Sequence, residues 1–336
     1  MAKKTSGDRP RRPASKFLLA GIDIGGTKIH TVIARGNGTV LGRARKKTRP
    51  ERGFDGVMER VKENLLEACE EAGVRIKELR AIGVGAPSAI RADGTAVHAP
   101  NMGWRNAPLA RTLSRMLHKT ICAANDCDLG TFGEYAFGAG RGSKSLVGLF
   151  PGTGLGGGIV DRGRLIRGEN RLAAELGHMV VVVDGRTCGC GRRGCLEAYA
   201  SKTGMSAGLA ERIATRRWKT TLKSQEDLLG LRSSVLAEAY RGGDELVRDV
   251  VDEAARYLGI GVANMITILG PDTVVLGGGV FEALGRDLIG IVRTTARDHV
   301  FPPPSFKDTR IVLSRLGDDA VALGAVAYAQ SEMGLR

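Results

Sequence analysis

Residues 145–158 read SLVGLFPGTGLGGG, an apolar run followed by five glycines within the seven residues 152–158. Near the start of the chain, residues 17–28 read FLLAGIDIGGTK, again a short apolar run followed by glycines. In both places strand-like and helix-like segments then alternate, which favours mixed sheets with helices on their faces. The sequence therefore predicts an α/β protein with two domains and a cleft between them.

The segments that follow each glycine motif support this division. A hairpin around Asn37-Gly38 is predicted over 30–45, and another around Arg162-Gly163 over 159–167. The remaining predicted elements are a helix at 56–72, a strand at 80–86, a mostly helical stretch at 197–269, a strand at 273–276, a helix at 281–298, a strand at 310–313 and a helix at 318–333. We expect a first domain over 17–135 together with the closing helix at about 320–336, and a second domain over 136–319.

Composition restricts the class of protein. The chain has 336 residues, 43% hydrophobic and 26% charged, which is typical of a globular protein larger than a single core. Of the net charge of +14, residues 1–16 contribute six Lys/Arg against one Asp, and they are predicted to be a disordered basic leader. The leader lacks the apolar region of a secretory signal, and no stretch approaches the roughly 20 apolar residues of a membrane helix. We therefore expect a cytoplasmic protein with no membrane partner.

The motif Asp23-Ile-Gly-Gly-Thr-Lys28 follows the opening strand. Gly25 and Gly26 would let backbone N–H groups approach a phosphate, Thr27 would add a hydroxyl donor, and Asp23 would hold Mg²⁺ directly or through water. An ordinary turn from a strand into a hairpin is the alternative for this motif alone.

Two further glycine motifs follow strands. The second motif, residues 152–158, has five glycines, and each glycine costs more backbone entropy on folding than another residue would. That cost favours a function for them, so the motif is interpreted as a tight loop that accommodates an anion. The third motif, residues 277–279, would form a surface for a flat adenine or its ribose. Neither has the spacing of a Walker A loop or of a dinucleotide fingerprint, yet together the motifs predict a nucleotide site. Its candidate residues are Gly152, Thr153, Gly154, Gly156, Gly277, Gly278 and Gly279.

Asn125-Asp126 ends the apolar strand ICAA and precedes a helical segment. An acid at the end of a strand, facing a cleft, is well placed to be the general base for an incoming hydroxyl. An ordinary helix N-cap is the alternative, since Asp and Asn are favoured there.

His178, Cys188, Cys190 and Cys195 have the spacing of a tetrahedral zinc site with all four positions occupied by protein, which is typical of structural zinc. Glu175 and Glu197 bracket this cluster. The zinc loop would then aim two carboxylates into the cleft, where they would accept hydrogen bonds from sugar hydroxyls. Cys69, Cys122 and Cys127 are expected to be small buried apolar residues.

Together these motifs resemble the ROK family of repressors, uncharacterised reading frames and sugar kinases, over nearly the whole chain after residue 16. The resemblance implies an actin-like, hexokinase-type (RNase H-like) ATPase fold, Mg²⁺ and ATP as cofactors, a structural Zn²⁺, and a homodimer or homotetramer. It also implies Asp126 as the catalytic base and a sugar lined by Asn101, Asn125, Glu175, His178 and Glu197. It is carried by DIGGTK at 23–28, ND at 125–126, GTGLGGGIV at 152–160, AAELGH at 173–178, CGCGRRGCLEAYAS at 188–201 and LGGGV at 276–280.

The segment APNMGWRNAPL at 99–109 looks most like bacterial glucokinases, which implies transfer of phosphate to the 6-hydroxyl of glucose. The stretch 173–201 also resembles N-acetylmannosamine kinases, so that sugar, N-acetylglucosamine and fructose stay open, as does polyphosphate in place of ATP. Ser88, Arg91 and Arg171 depart from the common family pattern near the expected sugar. The repressor branch is the alternative without catalysis, but the leader is too short and polar for a helix-turn-helix, so we expect no nucleic-acid partner.

Overall fold

The computed structural model describes residues 17–215, 218, 220–222 and 231–335, so the predicted leader at 1–16 lies outside the described residues. In the described part, the strands and helices alternate as expected for an α/β protein. They are β1 (Leu18–Ile24), β2 (Lys28–Arg35), β3 (Val40–Lys47), α1 (Gly53–Glu71), β4 (Leu79–Ala86), β5 (Ala96–Ala99), β6 (Trp104–Ala107), α2 (Leu109–Leu117), β7 (Ile121–Asn125), α3 (Asp126–Ala136), β8 (Ser145–Pro151), β9 (Leu155–Asp161), β10 (Arg164–Leu165), α4 (Glu197–Ala200), α5 (Lys202–Ile213), α6 (Ser233–Arg241), α7 (Glu245–Leu269), β11 (Thr273–Leu276), α8 (Gly278–His299), α9 (Ser305–Asp308), β12 (Arg310–Leu313) and α10 (Ala320–Glu332).

Two five-stranded sheets share one topology. Their strand orders are β3-β2-β1-β4-β7 and β10-β9-β8-β11-β12. In each sheet the first three strands form an antiparallel meander, and the last two run parallel to the first strand. The mixed sheets predicted from the two glycine motifs are therefore confirmed. Because the three parallel strands of each sheet have their carboxyl ends at one edge, the loops that follow β1, β7, β8 and β11 lie at those edges.

Both predicted hairpin turns are confirmed. Gly38 has a φ of 87°, and Arg162 and Gly163 have φ angles of 47° and 81°. At Arg162-Gly163 both central residues have positive φ, which is the type I′ conformation that matches the twist of antiparallel strands, whereas in the first turn only Gly38 does. This explains why Gly163 follows Arg162 at the tip of the β9–β10 hairpin.

The long glycine run was misassigned as a loop. Only residues 152–154 connect the strands, and Gly156, Gly157 and Gly158 lie inside β9, paired with β8. A Cβ at Gly156 would overlap Cys127, and one at Gly158 would crowd Thr131. These glycines therefore allow α3 to pack closely on the strand, and close packing accounts for them better than an anion-binding loop does.

Two helix boundaries also differ from the prediction. Helix α8 begins at Gly278 rather than at 281, with Gly277 as its N-cap, so the third glycine motif is a helix start. Gly278 has a φ of 76°, which favours glycine. The predicted helical stretch 197–269 is divided among α4, α5, α6 and α7 in its described part, while 216, 217, 219 and 223–230 lie outside the described residues.

Helix α3 lies between the two sheets and packs against α10, β8 and β9. Gly133 of α3 and Gly324 of α10 face each other, and a Cβ at either would run into the opposite backbone. Helix α10 also packs on β1, β4 and β7, which supports its assignment to the first domain. The domain boundaries near 135 and 320 stay a prediction. Within the described residues, no helix is long and apolar enough to span a bilayer.

The contact between α3 and α10 predicts opposite effects for two Gly→Ala substitutions in helices. Gly324→Ala should lower the free energy of unfolding by about 1 to 3 kcal/mol, because the new methyl group would overlap the Leu129 carbonyl. Gly290→Ala in α8 meets no atom within 4 Å and should raise it by about 0.5 to 1 kcal/mol. Urea unfolding of both variants checks this, and equal stability of the two would contradict the packing argument.

Candidate active site

Three cavities form a row along the edge where the strands end. The first, of about 430 Å³, lies beside Asp126, Glu175 and Glu197, and we name it the carboxylate cavity. The second, of about 170 Å³, lies between Asp23 and Asp126 and is named the junction cavity. The third, of about 490 Å³, is bordered by Gly277 and Gly317 and is named the glycine groove. Asp126 lines both of the first two cavities, so it stands between them.

The start of α3 positions Asp126. Asn125, the last residue of β7, caps the helix by accepting hydrogen bonds from the backbone N–H groups of Cys127 and Asp128 at 2.8 and 3.1 Å. Asp126 is the first helical residue, and the Cys127 N–H also donates to its Oδ1 at 2.8 Å. The N-cap that sequence reasoning offered as the alternative is therefore Asn125, which leaves the Asp126 carboxylate facing two cavities.

Burial raises the pKa values of both Asp126 and Asp23. Desolvation raises the pKa of Asp126 to about 6, although the Cys127 N–H opposes the rise. The pKa of Asp23, at the end of β1, is raised to about 7, first by desolvation and then by the charge of Asp126. Two desolvated carboxylates, of which Asp126 raises the pKa of Asp23 by its charge, are a suitable donor set for a divalent cation, which would relieve their repulsion.

A further acid, Asp128, lines the carboxylate cavity, and sequence reasoning missed it. It is 5% exposed and its Oδ2 lies 3.4 Å from Nε of the equally buried Arg167. Desolvation raises the pKa of Asp128 to about 7 despite that cation. Arg167 also donates to the Tyr328 hydroxyl at 3.1 Å and to the Ile90 carbonyl at 2.8 Å. It thereby ties the segment that leads to Glu175 to α3 and α10.

Glu175, His178 and Glu197 also line the carboxylate cavity, on the side of the cysteine cluster. Partial desolvation raises the pKa of Glu175, and the neighbouring His178 opposes the rise. Glu197 opens α4, and its Oε2 accepts the Leu155 N–H at 2.8 Å, which connects the cysteine segment to the β8–β9 loop. The cavity is therefore rich in acceptors, as a site for a polyhydroxylated ligand requires.

The four predicted zinc ligands come together. One ligand atom from each of His178, Cys188, Cys190 and Cys195 lies within 4.8 Å of all the others. Nδ1 of His178 faces Cys188 Sγ at 3.7 Å, and Cys190 Sγ is 3.8 Å from Cys195 Sγ. Three thiols and one imidazole at these separations fit tetrahedral Zn²⁺. The geometry and chemistry of the donor set thus match the predicted ion.

The glycine candidates separate by location. Gly152, Thr153, Gly154 and Gly156 line the carboxylate cavity, whereas Gly277 lines the glycine groove and Gly278 the junction cavity. Gly279 lies within the first turn of α8.

Gly25, Gly26, Thr27 and Asn101 line none of these three cavities, whereas Lys28 does. Gly25 and Gly26 form the tight β1–β2 turn, where the Gly25 N–H donates to the Lys28 carbonyl at 2.9 Å. Thr27 is exposed, as is Asn101, whose Cβ lies 3.7 Å from the Cβ position at Gly26. Lys28 lines the junction cavity.

Sequence reasoning also missed residues on the nucleotide side of the row. Ser314 and Glu282 line both the junction cavity and the glycine groove, and Asp318 lines the junction cavity, where it accepts from Lys28 Nζ at 2.7 Å. The acidic pair Asp318-Asp319 before α10 was the available signal. In the carboxylate cavity, Ser88 and Arg171, noted for departing from the family pattern, are lining residues together with His98, whereas Arg91 is not.

Known proteins resemble this chain over nearly its full length. The family model described as "ROK family" matches residues 19–332. A glucokinase from Thermotoga maritima is 35% identical over 322 residues, which cover 95% of this chain and 99% of that protein. A xylose repressor from Caldicellulosiruptor bescii is 28% identical over 94% of this chain and 78% of its own length.

A solved structure extends the likeness to three dimensions. The crystal structure of a ROK family glucokinase from Streptomyces griseus in complex with glucose and AMPPNP superposes with a TM-score of 0.78. It is 31% identical and covers 94% of this chain and 99% of that one. The chain therefore belongs to the ROK family and has its actin-like, hexokinase-type ATPase fold.

Proposed function

We propose that the protein is an ATP-dependent hexose kinase that transfers the γ-phosphate of ATP to the 6-hydroxyl of glucose. The observation that carries the proposal is the position of Asp126. It lies between the carboxylate cavity, which is rich in acceptors, and the junction cavity, which adjoins the glycine groove. The glucokinases from T. maritima and S. griseus support the choice of glucose, and the second of these was solved with glucose and AMPPNP.

In this proposal the carboxylate cavity holds the sugar. Asn125, Glu175, His178 and Glu197 would hydrogen-bond its hydroxyls, and Asn101 would close over it from the first domain. Asp126 would accept the proton of the 6-hydroxyl while that oxygen bonds to the γ-phosphorus and the bond from phosphorus to the β,γ-bridging oxygen breaks. ADP leaves with the bridging oxygen, so the atoms and charges balance.

The junction cavity and the glycine groove would take the nucleotide. Gly277 and Gly278 at the start of α8 would lie beside the adenosine, whereas Gly152, Thr153 and Gly154 would lie near the transferred phosphate, with Lys28 and Thr27 across the cleft. Asp23 would hold Mg²⁺, which when bound neutralises phosphate charge. Phosphoryl transfer depends mainly on such positioning and charge stabilisation, and a closing cleft also excludes competing water.

We also propose that the enzyme acts in the cytoplasm as a homodimer or homotetramer. ATP and hexoses meet in that compartment, and its reducing conditions keep three thiols available for zinc. The proposed activity would supply hexose 6-phosphate to sugar metabolism.

Asp126→Asn tests the base directly. The amide keeps the size of the side chain but accepts a proton poorly, so kcat should fall by about 10²- to 10⁴-fold while glucose affinity changes little. A coupled ADP-release assay with calorimetric glucose binding measures both quantities. The control is Asp55→Asn, an exposed acid in the first turn of α1, which should leave both unchanged. Activity of Asp126→Asn at a tenth of wild type or more would refute the assignment.

The pKa values predict a falling acid limb of kcat/KM. A base works only as the carboxylate, and in the free enzyme Asp126 and Asp23 have pKa values of about 6 and about 7. Activity should therefore decline as the pH falls through this range, and by up to about a hundredfold per unit below it, because both carboxylates are then protonated. Steady-state rates measured from about pH 5 to about pH 9, a range that brackets both pKa values, check this. A profile that stays flat down to about pH 5 would contradict the protonation argument.

Cys190→Ser removes one of the four zinc ligands and should release the metal. Binding of glucose should weaken as well, because the zinc would no longer hold the segment that bears Glu175, His178 and Glu197. Metal analysis by mass spectrometry and the KM for glucose are the measurements. Cys122→Ser, outside the cluster, is the matched control and should retain the metal. Equal zinc content in the two variants would contradict the assignment of Cys190 as a zinc ligand.

A further inference from the structure

We propose that Glu134 is a positioning residue that fixes the nucleotide-side loop to the helix that carries the base, and so sets the alignment of ATP with Asp126. Glu134 lies on α3, eight residues after Asp126, and its side chain is completely buried. Eight residues of α-helix span about 12 Å, so one rigid element reaches from the proposed base to this second carboxylate.

The contacts of Glu134 are directed at a single loop. Residues 314–319 connect β12 to α10, and we name them the 314–319 loop. Oε1 of Glu134 accepts three hydrogen bonds from it: from Ser314 Oγ at 2.6 Å, from the Leu316 N–H at 2.8 Å and from the Arg315 N–H at 2.9 Å. Oε2 accepts the Ala139 N–H at 2.7 Å.

These contacts satisfy the carboxylate without a cation. A buried carboxylate is costly unless its acceptor sites are used, and the four donors use them. Because each bond has an ionised acceptor, each is stronger than a bond between neutral groups. Replacing the Glu134 carboxylate by an uncharged group of the same size should therefore weaken the hydrogen bonds that hold the 314–319 loop, without creating a cavity in the core.

The 314–319 loop forms part of the wall of the proposed nucleotide site. Ser314 and Gly317 line both the glycine groove and the junction cavity, and Asp318 lines the junction cavity. The far end of the loop is held by the β2–β3 hairpin, since Asp318 pairs with Lys28 at 2.7 Å and Asp319 with the buried His30 at 2.8 Å. Glu134 fixes the near end, at 314–316.

Loss of the Glu134 contacts should affect the binding of ATP and not the binding of glucose. Apart from Asn101, the residues proposed to bind glucose belong to the β7–α3 junction and the cysteine segment. None of them is among the hydrogen-bond partners of the Glu134 side chain. A shift of the loop would therefore displace ATP relative to Asp126 and leave the sugar in place. Misplacement by about 1 Å can cost about 10²-fold in rate when two reactants must be aligned.

The test compares Glu134→Gln with Asp272→Asn. An amide at 134 has one acceptor oxygen for four N–H or O–H donors, so at least one donor must face its NH₂ group. Asp272 is the matched control, because it also accepts backbone N–H groups, from Lys144 at 2.7 Å and Ser145 at 3.4 Å, but at the opposite end of the second sheet. The readouts are the melting temperature, the dissociation constant of AMP-PNP with Mg²⁺, and the KM values for ATP and glucose.

We expect Glu134→Gln to raise the AMP-PNP dissociation constant and the KM for ATP by about tenfold, the equivalent of about 1.4 kcal/mol, with the KM for glucose within about twofold. Asp272→Asn should lower the melting temperature and leave all three constants within about twofold. If Glu134→Gln raises the KM for glucose as much as that for ATP, or leaves nucleotide binding unchanged, the proposal is wrong.

Ser314→Ala keeps the proposal testable if Glu134→Gln does not fold, because it removes only one of the three bonds to Oε1. It should raise the KM for ATP by about threefold, and no rise would overturn the proposal. The proposal rests on the kinase function for the identity of its ligand. If wild type binds AMP-PNP but phosphorylates no hexose, the proposed function fails, while nucleotide binding by the variants still decides the role of Glu134.

Discussion

The structure depends on how closely helix α3 packs between the two sheets. Glycines remove the side chains that would hold it away: Gly133 and Gly324 at the contact with α10, and Gly156 and Gly158 at the contact with β9. Since protein interiors pack at the density of organic crystals, even one methyl group at these contacts requires the backbone to move. The same helix begins with Asp126 and carries Glu134 near its other end, so its placement fixes the proposed base and the nucleotide-side loop together.

Placing acids at this edge of the sheets has an electrostatic consequence. Asp126 is at a helix N-terminus and accepts a backbone N–H, both of which stabilise the carboxylate, yet desolvation outweighs them and raises its pKa to about 6. Asp23 and Asp128 are shifted in the same direction, to about 7. A base with a pKa just below the operating pH is both deprotonated and able to accept a proton, which is the useful compromise for catalysis. Packing of α3 and the chemistry of the site are thus linked through burial.

Sequence reasoning predicted the features that depend on neighbours in the chain. Short apolar runs predicted the strands, Asn37-Gly38 and Arg162-Gly163 predicted two turns, and the spacing of Cys188, Cys190 and Cys195 predicted a cluster that the fold brings together. It failed where distant residues meet. Gly156–Gly158 were interpreted from local entropy as a loop, because their partner α3 cannot be recognised from the run itself. The Asp128–Arg167 pair and the hydrogen bond that Ser314 donates to Glu134 join residues 39 and 180 positions apart, which no local pattern reveals.

In the proposed reaction the carboxylate cavity selects glucose and presents its 6-hydroxyl to Asp126. This selection is tested most directly by initial rates of ADP release with ATP and each of glucose, mannose, fructose, N-acetylglucosamine and N-acetylmannosamine, with the product identified by ³¹P and ¹³C NMR. We expect the highest kcat/KM for glucose and a product phosphorylated at the 6-position. A higher kcat/KM for N-acetylmannosamine, or phosphate at any other hydroxyl of glucose, would contradict it.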